Sequence, residues 1–185
     1  MRVFIDAVEY SQITAAITAL QPRRLLEWGS GGSTIDFLRR YASIEKLVSV
    51  EHHPLWYEKV KAAATDPRLF YFLREGAEAE PAPQFFGLYR GKRAAWRRRA
   101  ETDRRIFSEY IDLPATLGLT FDCIFVDGRA RNFCMAVGWE LLERGGLMIV
   151  HDALREFYHA TIARLRTPTY LSPWRSGQVC LLPKK

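Results

Sequence analysis

The sequence predicts an α/β protein built on a mostly parallel, doubly wound β-sheet with helices on both faces. The first observation is that apolar runs typical of strands alternate along the chain with segments of helical periodicity. The second is that two of these runs, CIFV at 123–126 and LMIV at 147–150, are apolar at every position. Strands of that composition are buried on both faces, as in a parallel sheet covered by helices.

The elements follow one another in a regular order. Apolar residues at helical spacing predict a first helix over 8–20, and Pro22 follows it. Strands are then predicted at RRLLEW, KLVSVE, RLFYFL, FDCIFVDG and LMIVHD, and helices at TIDFLRRYA, PLWYEKVKAAA, DRRIFSEYIDL, NFCMAVGWELLER and ALREFYHATIARL. The segments TYLSPW and QVCLLP predict a C-terminal antiparallel hairpin, which brings the sheet to seven strands.

Length and composition favour a single domain over residues 1–185. The chain is 48% hydrophobic and 26% charged, which is ordinary globular composition. Its three cysteines are widely spaced and form no zinc-binding pattern, so we expect them to be reduced. The first residues lack the features of a secretory signal, and no apolar stretch approaches the ~20 residues of a membrane span. We therefore expect a cytoplasmic protein with no membrane partner.

The positive charge is concentrated in one segment. Between Arg90 and Arg105 lie eight basic and two acidic residues, whereas the remaining 19 basic and 19 acidic residues cancel. This segment belongs to a basic insert at about 78–105, which we interpret as a solvated helix face or a lid, with Trp96 packed inward. Binding of nucleic acid through phosphates and stacking is the disfavoured alternative.

The stretch LLEWGSGGST places three glycines directly behind a strand. Gly29, Gly31 and Gly32 allow a sharp turn into a helix and let a ligand lie against bare backbone. A dinucleotide-binding GxGxxG pattern is incomplete, because Thr34 occupies the third glycine position.

Two acidic residues narrow the choice of ligand. Glu27, just before the glycines, would repel a pyrophosphate and attract a ligand that carries an ammonium and a sulfonium. Glu51 ends the next strand, 22 residues after Gly29, where an acid can accept both hydroxyls of a ribose. These features predict a cationic adenosyl ligand without phosphate.

Four stretches of the sequence carry a resemblance to a known family: the ExGxGxST pattern, VSVEHHPLWY, FDCIFVDGRAR and GGLMIVHDALR. Through them the chain resembles the class I S-adenosylmethionine-dependent methyltransferases over roughly residues 20–165. It is also similar to small bacterial methyltransferase-like proteins of unassigned substrate. The resemblance implies a Rossmann-like fold, with the methionine end of the cofactor near Glu27 and the glycine loop, the ribose at Glu51 and the adenine beside His52, Gly76 and Ala77. The implied cofactor-binding set is Glu27, Gly29, Ser30, Gly31, Gly32, Ser33, Glu51, His52, Gly76, Ala77 and Asp127.

Three residues after the fourth and fifth strands are candidates for catalysis: Asp127, His151 and Asp152. Two chemistries stay open. Asp127 and Asp152 could hold a divalent cation such as Mg²⁺, although Ala153 stands where metal-using relatives carry a further ligand. Alternatively, His151 could act as the general base. Asp152 also suits a helix cap.

Arg129 and Arg131 open a helix, where the helix dipole disfavours cations, so we interpret them as candidates for binding an anionic group of the acceptor. The favoured function is transfer of a methyl group from S-adenosylmethionine to an oxygen of a small or saccharide-like acceptor. A methyltransferase-fold binding module without activity, which docks an acidic partner or nucleic acid, is one alternative. A nicotinamide dinucleotide-dependent oxidoreductase is the other.

Overall fold

Seven strands form one sheet in the computed structural model, which describes residues 1–81 and 90–185. The strands are β1 (Arg24–Trp28), β2 (Lys46–Glu51), β3 (Leu69–Leu73), β4 (Phe121–Val126), β5 (Leu142–Val150), β6 (Thr169–Tyr170) and β7 (Cys180–Pro183). Their order across the sheet is β3-β2-β1-β4-β5-β7-β6.

Every neighbouring pair of strands is parallel except those that involve β7, which runs antiparallel to both β5 and β6. This confirms the predicted parallel core and the C-terminal hairpin. The strand order reverses between β1 and β4, since the chain first builds outward to β3 and then returns to the other side of β1. Ligands of doubly wound sheets bind beyond the carboxyl ends of the strands at such a reversal.

Seven α-helices in the described parts of the chain cover the sheet. They are α1 (Ala7–Leu20), α2 (Gly32–Arg40), α3 (Pro54–Ala63), α4 (Arg90–Thr102), α5 (Ser108–Asp112), α6 (Arg131–Leu141) and α7 (Glu156–Leu165) within the described ranges. Alternate residues of a strand point to opposite faces. Leu25 packs with Ile13 and Phe37 from α1 and α2, whereas Leu26 packs in the cluster that contains Tyr110 and Tyr158.

The basic segment forms α4. Trp96 is 3% exposed and its ring lies 5.9 Å from that of Phe107, so it packs inward as predicted. The part of the insert at 82–89 lies outside the described residues. No helix in the described parts of the chain has the length and apolarity needed to cross a membrane.

Two predicted helix boundaries are wrong. The helix expected to reach Arg144 ends at Leu141, because β5 starts at Leu142, which pairs with Phe121 on β4. A left-handed backbone at Gly145 (φ +83°) lies within β5, where the pairing with β4 shifts register.

The last helix also starts later than predicted, at Glu156 instead of Ala153. Asp152 has a left-handed backbone (φ +60°) and does not cap the helix, since Arg155 is the N-cap residue. The expected single helix over 103–113 is divided into a 3₁₀ turn at Arg104–Phe107, the short α5, and a second 3₁₀ turn at Leu113–Leu117.

The carboxyl ends of β1 and β4 approach each other through two glycines. Gly29 has a φ of +92°, and a Cβ atom there would lie 2.6 Å from the Cα of Gly128. A Cβ atom on Gly128 would lie 2.0 Å from the hydroxyl oxygen of Tyr110, which is fully buried. The turn after β1 and the turn after β4 can therefore pack together only if Gly29 and Gly128 are both glycines.

We predict that Gly128→Ala lowers the free energy of unfolding by about 2 kcal/mol or more, because the added methyl group overpacks the site against Tyr110. Urea unfolding followed by circular dichroism measures the change. Gly91→Ala on α4 is the control, since a Cβ there meets no atom of the described residues within 4 Å. Equal stability of Gly128→Ala and wild type would contradict the packing argument.

Candidate functional site

A cavity of about 300 Å³ opens at the reversal point of the sheet, and we call it the central cavity. The residues that line it come from the turn after β1, the turns after β4 and β5, the N-terminal segment, α3 and the loop before β7. They are Val3, Phe4, Ile5, Gly29, Ser30, Gly31, Gly32, Ser33, Trp56, Asp127, His151, Asp152 and Ser176. The structure thus brings the predicted glycine loop and the three predicted catalytic residues to one site.

Gly31 differs from the other glycines of the loop. A Cβ atom at Gly31 would make only ordinary contacts, the nearest at 3.7 Å from the Nε1 of Trp56. A Cβ atom at Gly32, in contrast, would lie 2.3 Å from the carbonyl oxygen of Arg2. Packing therefore explains Gly32, whereas Gly31 lines the cavity without a steric requirement from the protein itself.

The N-terminal segment and α3 form the outer wall of the central cavity. The Nε1 of Trp56 donates to the carbonyl oxygen of Ser30 at 2.6 Å, and the Trp56 ring meets that of Phe4 edge-on at 5.6 Å. Phe4 is 74% exposed. An exposed aromatic ring thus lies at the rim of the cavity.

Glu27 lies beneath the glycine loop and is fully buried. Its carboxylate accepts hydrogen bonds from the hydroxyls of Ser33 (2.8 Å), Thr34 (2.6 Å) and Ser49 (2.8 Å). Burial raises the pKa of Glu27 to about 7, although these three hydroxyls oppose the shift. The structure places this carboxylate as a support for the loop and the start of α2, behind the residues that line the cavity.

Glu51 occupies the corresponding position at the end of β2. One of its oxygens accepts from the N–H (3.0 Å) and hydroxyl (2.8 Å) of Ser30, and the other accepts from the N–H groups of His52 (2.8 Å) and His53 (2.9 Å). Burial raises the pKa of Glu51, but the hydrogen bond and charge of His52 outweigh it and hold the pKa below its ordinary value. An ionised carboxylate therefore joins the two turns.

His52 and Gly76 line a second cavity of about 150 Å³ beside the turn after β2. The His52 ring meets those of Phe107 and Tyr110 edge-on at 5.5 and 5.8 Å, and its Nε2 is buried without a hydrogen-bond partner among the described residues. Ala77 lies apart from this cavity and lines a neighbouring depression of about 390 Å³. The rings of Trp96 and Phe107 line this second cavity and suit a flat heterocycle, and Glu75, Glu78 and Glu80 line it as well.

Arg131 is the centre of the charged network at the ends of β4 and β5. Its Nε donates to the carbonyl oxygen of Gly128 at 2.9 Å, and Nη2 donates to that of Asp127 at 2.7 Å. Nη1 donates to the carbonyl oxygen of His151. Nη2 also lies 3.2 Å from a carboxylate oxygen of Asp127 and 3.2 Å from one of Asp152. The Arg131 side chain is 4% exposed, so it is a structural cation within the site.

His151 lies between two carboxylates. Its Nδ1 is 2.9 Å from Asp127, and its Nε2 is 3.3 Å from Glu9 on α1. Burial lowers the pKa of His151, but the hydrogen bond to Asp127 and the Asp127 charge raise it above its ordinary value. Both ring nitrogens thus face hydrogen-bond acceptors, which favours the protonated imidazolium over a free base.

Glu9 is anchored by the loop before β7. It is fully buried, and one oxygen accepts from the N–H groups of Arg175 (2.7 Å), Ser176 (2.7 Å) and Gly177 (3.0 Å). Burial opposes ionisation, but these backbone hydrogen bonds outweigh it and lower the pKa of Glu9 to about 2. A carboxylate from the first helix therefore reaches the site beneath His151.

The side chains of Asp127, His151 and Asp152 could in principle hold a metal ion, because their ligand atoms lie within 4.8 Å of one another. However, Asp127 and Asp152 both contact the Arg131 guanidinium, and Asp152 also pairs with Arg155 at 2.7 Å. A fixed positive charge thus already bridges the two carboxylates. The residues present do not fit a divalent cation.

The two predicted acceptor-binding arginines lie in different environments. Arg131 is buried in the network, whereas Arg129 is partly exposed and pairs with Glu80 at 3.2 Å. Only Arg129 borders a surface open to a ligand, a groove between α4 and the start of α7 that also contains Arg155.

Sequence reasoning missed Glu9 and Trp56. Glu9 shares the buried face of α1 with Ile13 and Ile17, at positions i, i+4 and i+8. An acidic residue on an apolar helical stripe was therefore the available signal. Trp56 lies in a helix of ordinary composition, and its position in the sequence gives no comparable signal.

No protein-family model matches the chain, and no curated protein matches it. Solved structures with the fold of class I S-adenosylmethionine-dependent methyltransferases match it over almost its whole length. The chain therefore has the Rossmann-like methyltransferase fold.

Three of these structures give the degree of similarity. A methyltransferase-like protein from Silicibacter pomeroyi is 19% identical with a TM-score of 0.63, and the match covers 100% of this chain and 89% of that one. An O-methyltransferase from Bacillus cereus, solved in complex with SAH, is 16% identical with a TM-score of 0.62, covering 97% and 82%. The O-methyltransferase TomG from Streptomyces achromogenes, solved with SAM, is 15% identical with a TM-score of 0.60, covering 98% and 82%.

We predict that Glu9→Gln destabilises the protein in a pH-dependent way. The folded pKa of about 2 lies below the ordinary 4.5, so the stability that Glu9 contributes is fully present above pH 4.5 and is lost as the pH falls toward 2. We expect a loss of about 2 kcal/mol at neutral pH, because an amide is a weaker acceptor for the converging N–H groups. The difference from wild type should shrink in acid.

Urea unfolding of both proteins across this pH range measures the effect. Glu58→Gln is the control, since Glu58 is an exposed residue on α3. A Glu9→Gln deficit that stays constant with pH would show that the charge of Glu9 contributes nothing.

Proposed function

We propose that this protein transfers the methyl group of S-adenosylmethionine to an oxygen atom of a small acceptor. The observation that carries the proposal is Gly31. It faces the central cavity as a glycine that the fold does not require, at the point where related folds bind a ligand against bare backbone. Two similar structures were solved with SAM or SAH, which supports the same ligand here.

The two cavities suit the two ends of this cofactor. The methionine part would lie in the central cavity between the glycine loop and Asp127, and the adenine would lie beside His52 and Gly76. Glu51 can accept from the ribose if the Ser30 hydroxyl gives up its place on the carboxylate. Carboxylates near the loop favour a ligand with ammonium and sulfonium groups.

The reaction needs alignment more than strong acid–base chemistry. The acceptor oxygen attacks the methyl carbon, the S–CH₃ bond breaks as the O–CH₃ bond forms, and the electron pair returns to sulfur. The acceptor releases one proton. Because the methyl group is already activated by the sulfonium, holding the reactants in line supplies the main effect, on the order of 7–11 kcal/mol.

Asp127 is the residue we assign to orient the acceptor hydroxyl and take its proton. Its carboxylate lines the central cavity and is 22% exposed. Burial raises the pKa of Asp127, but the Arg131 guanidinium and the His151 hydrogen bond outweigh it, so Asp127 stays ionised. His151 has both nitrogens directed at carboxylates, and we assign it a positioning role instead of that of general base.

The proposed reaction uses no divalent cation, because Arg131 bridges Asp127 and Asp152 in the place that an ion would take. A nicotinamide dinucleotide is also disfavoured. Its pyrophosphate would lie against a cavity lined by the Asp127 and Asp152 carboxylates.

We predict that Gly31→Ala keeps the fold but loses the cofactor. The extended backbone of Gly31 and the ordinary contacts of the added Cβ limit the loss of stability to less than about 1 kcal/mol. The same methyl group projects into the ligand, so the affinity for S-adenosylhomocysteine should fall at least ~10-fold. Isothermal titration calorimetry measures the affinity, and Gly91→Ala is the control.

If Gly31→Ala binds S-adenosylhomocysteine with the same affinity as wild type, the central cavity is excluded as the cofactor site. Wild type that binds the cofactor but methylates none of a panel of phenols, hydroxy acids and sugars would instead indicate the binding-module alternative.

We further predict that the metal-free protein does not bind Mn²⁺ at this site. The amplitude of the free Mn²⁺ signal in electron paramagnetic resonance should be the same with and without an equimolar amount of protein, because the Arg131 charge repels the ion. If wild type reduces the free Mn²⁺ signal and Asp152→Asn does not, the conclusion that these residues do not fit a divalent cation is wrong.

A further inference from the structure

A groove of about 450 Å³ lies between α4 and the start of α7, and we call it the arginine groove. Four arginines line it, Arg97, Arg98, Arg129 and Arg155, together with one acidic residue, Glu101, and the exposed ring of Phe157. The groove adjoins the central cavity, because Arg155 pairs at 2.7 Å with Asp152, which lines that cavity.

The groove carries more positive charge than its acidic neighbours neutralise. Three guanidiniums share the single carboxylate of Glu80, those of Arg93 (2.8 Å), Arg97 (3.2 Å) and Arg129 (3.2 Å). Arg98 has no ion pair with any described residue. Glu101 is the second carboxyl group nearby, but burial raises its pKa and it forms no ion pair with a described residue. The arginines of this cluster thus outnumber the carboxylates that pair with them.

Arg129 and Arg97 show the effect of that excess. The Nε of Arg129 is buried and has no acceptor among the described residues. Burial and the nearby Arg129 charge lower the pKa of Arg97. An anion bound between Arg129 and Arg97 would relieve the repulsion between the two guanidiniums.

Three other arginines of the basic segment are neutralised. Arg99 pairs with Glu78 at 2.5 Å, Arg105 pairs with Asp103 at 2.7 Å, and Arg104 pairs with Asp112. The arginines in excess over their acidic partners thus include those of a concave site, the arginine groove. This favours a small ligand over a nucleic acid, whose phosphates need a continuous basic surface.

We propose that the arginine groove binds the anionic group of the methyl acceptor, which we infer to be a hydroxylated acid with an apolar body. This inference rests on the proposed function. Guanidiniums bind carboxylates and phosphates in the same way, so either group fulfils it. The apolar body packs on Phe157, and the hydroxyl reaches toward Asp127 past the Asp152–Arg155 pair. The buried Arg131 takes no part in this contact.

The test uses three probes on the S-adenosylhomocysteine complex of the full chain. These are 3-hydroxy-2-naphthoate, the neutral 3-hydroxy-2-naphthamide and 2-naphthyl phosphate, each titrated by calorimetry at low salt. We expect the naphthoate or the phosphate to bind at least ~10-fold more tightly than the amide, because only the anions form charge-assisted hydrogen bonds. The order of the two anions identifies the source of the charge.

Arg98→Gln should weaken the preferred anion about tenfold and leave the amide unchanged. Arg164→Gln is the matched control, since Arg164 is an exposed arginine of α7 that does not line the groove. Affinity for S-adenosylhomocysteine should stay the same in both variants.

The outcomes separate the two proposals. Anions that bind no better than the amide, in a protein that binds S-adenosylhomocysteine normally, would overturn the groove alone. Wild type that does not bind S-adenosylhomocysteine would overturn the proposed function. Displacement of the naphthoate by a 20-nucleotide single-stranded RNA, in a manner that depends on Arg98, would assign the groove to a polymer.

Discussion

The buried guanidinium of Arg131 is the interaction on which the site depends. The strands β4 and β5 end beside each other. The turn after each strand contributes one backbone carbonyl group and one carboxylate that contact the Arg131 guanidinium. Without a cation between them, Asp127 and Asp152 would repel each other. Removing one partner from a buried set of charges leaves an uncompensated charge, which typically costs about 3–5 kcal/mol. The turns after β4 and β5 are therefore fixed together by one side chain.

A second pair of buried acids organises the other half of the site. Glu27 holds the start of α2 through three hydroxyls, and Glu51 holds Ser30 together with the turn after β2. Both carboxylates were expected to contact a ligand directly, but the structure gives each a full set of protein donors. The negative charge of Glu51 still acts on the cavity, because electrostatic interactions weaken slowly with distance where water is excluded. Burial raises the pKa of Glu27 to about 7, so Glu27 mainly supports the loop through its hydrogen bonds.

The sequence predicted the strands, their parallel arrangement and the clustering of the glycine loop with Asp127. Strands could be predicted because hydrophobic periodicity is a local property of the sequence. The clustering could be predicted because the carboxyl ends of parallel strands lie at the same edge of a sheet. The sequence did not predict the direction of Arg131. An arginine that opens a helix can point to solvent or fold back over the preceding turn, and only the position of Asp152 decides between them. Glu9 was missed because its partners lie near residue 176, a separation that a single sequence does not reveal. The groove depends in turn on how α4 packs, which composition alone cannot specify.

The division of charge between the central cavity and the arginine groove fits the proposed pair of ligands. Carboxylates of Asp127 and Asp152 line the cavity assigned to a cationic methyl donor, whereas four guanidiniums and one carboxyl group, that of Glu101, line the groove assigned to an anionic acceptor. The Asp152–Arg155 pair lies at the border, and each member faces the ligand of opposite charge. Binding in the reverse arrangement would place the acceptor anion against Asp127 and Asp152 and the cationic donor against the arginines, so the electrostatics favour one orientation. In the proposed orientation, the acceptor hydroxyl would face Asp127 and the donor methyl group, which is the alignment that methyl transfer requires.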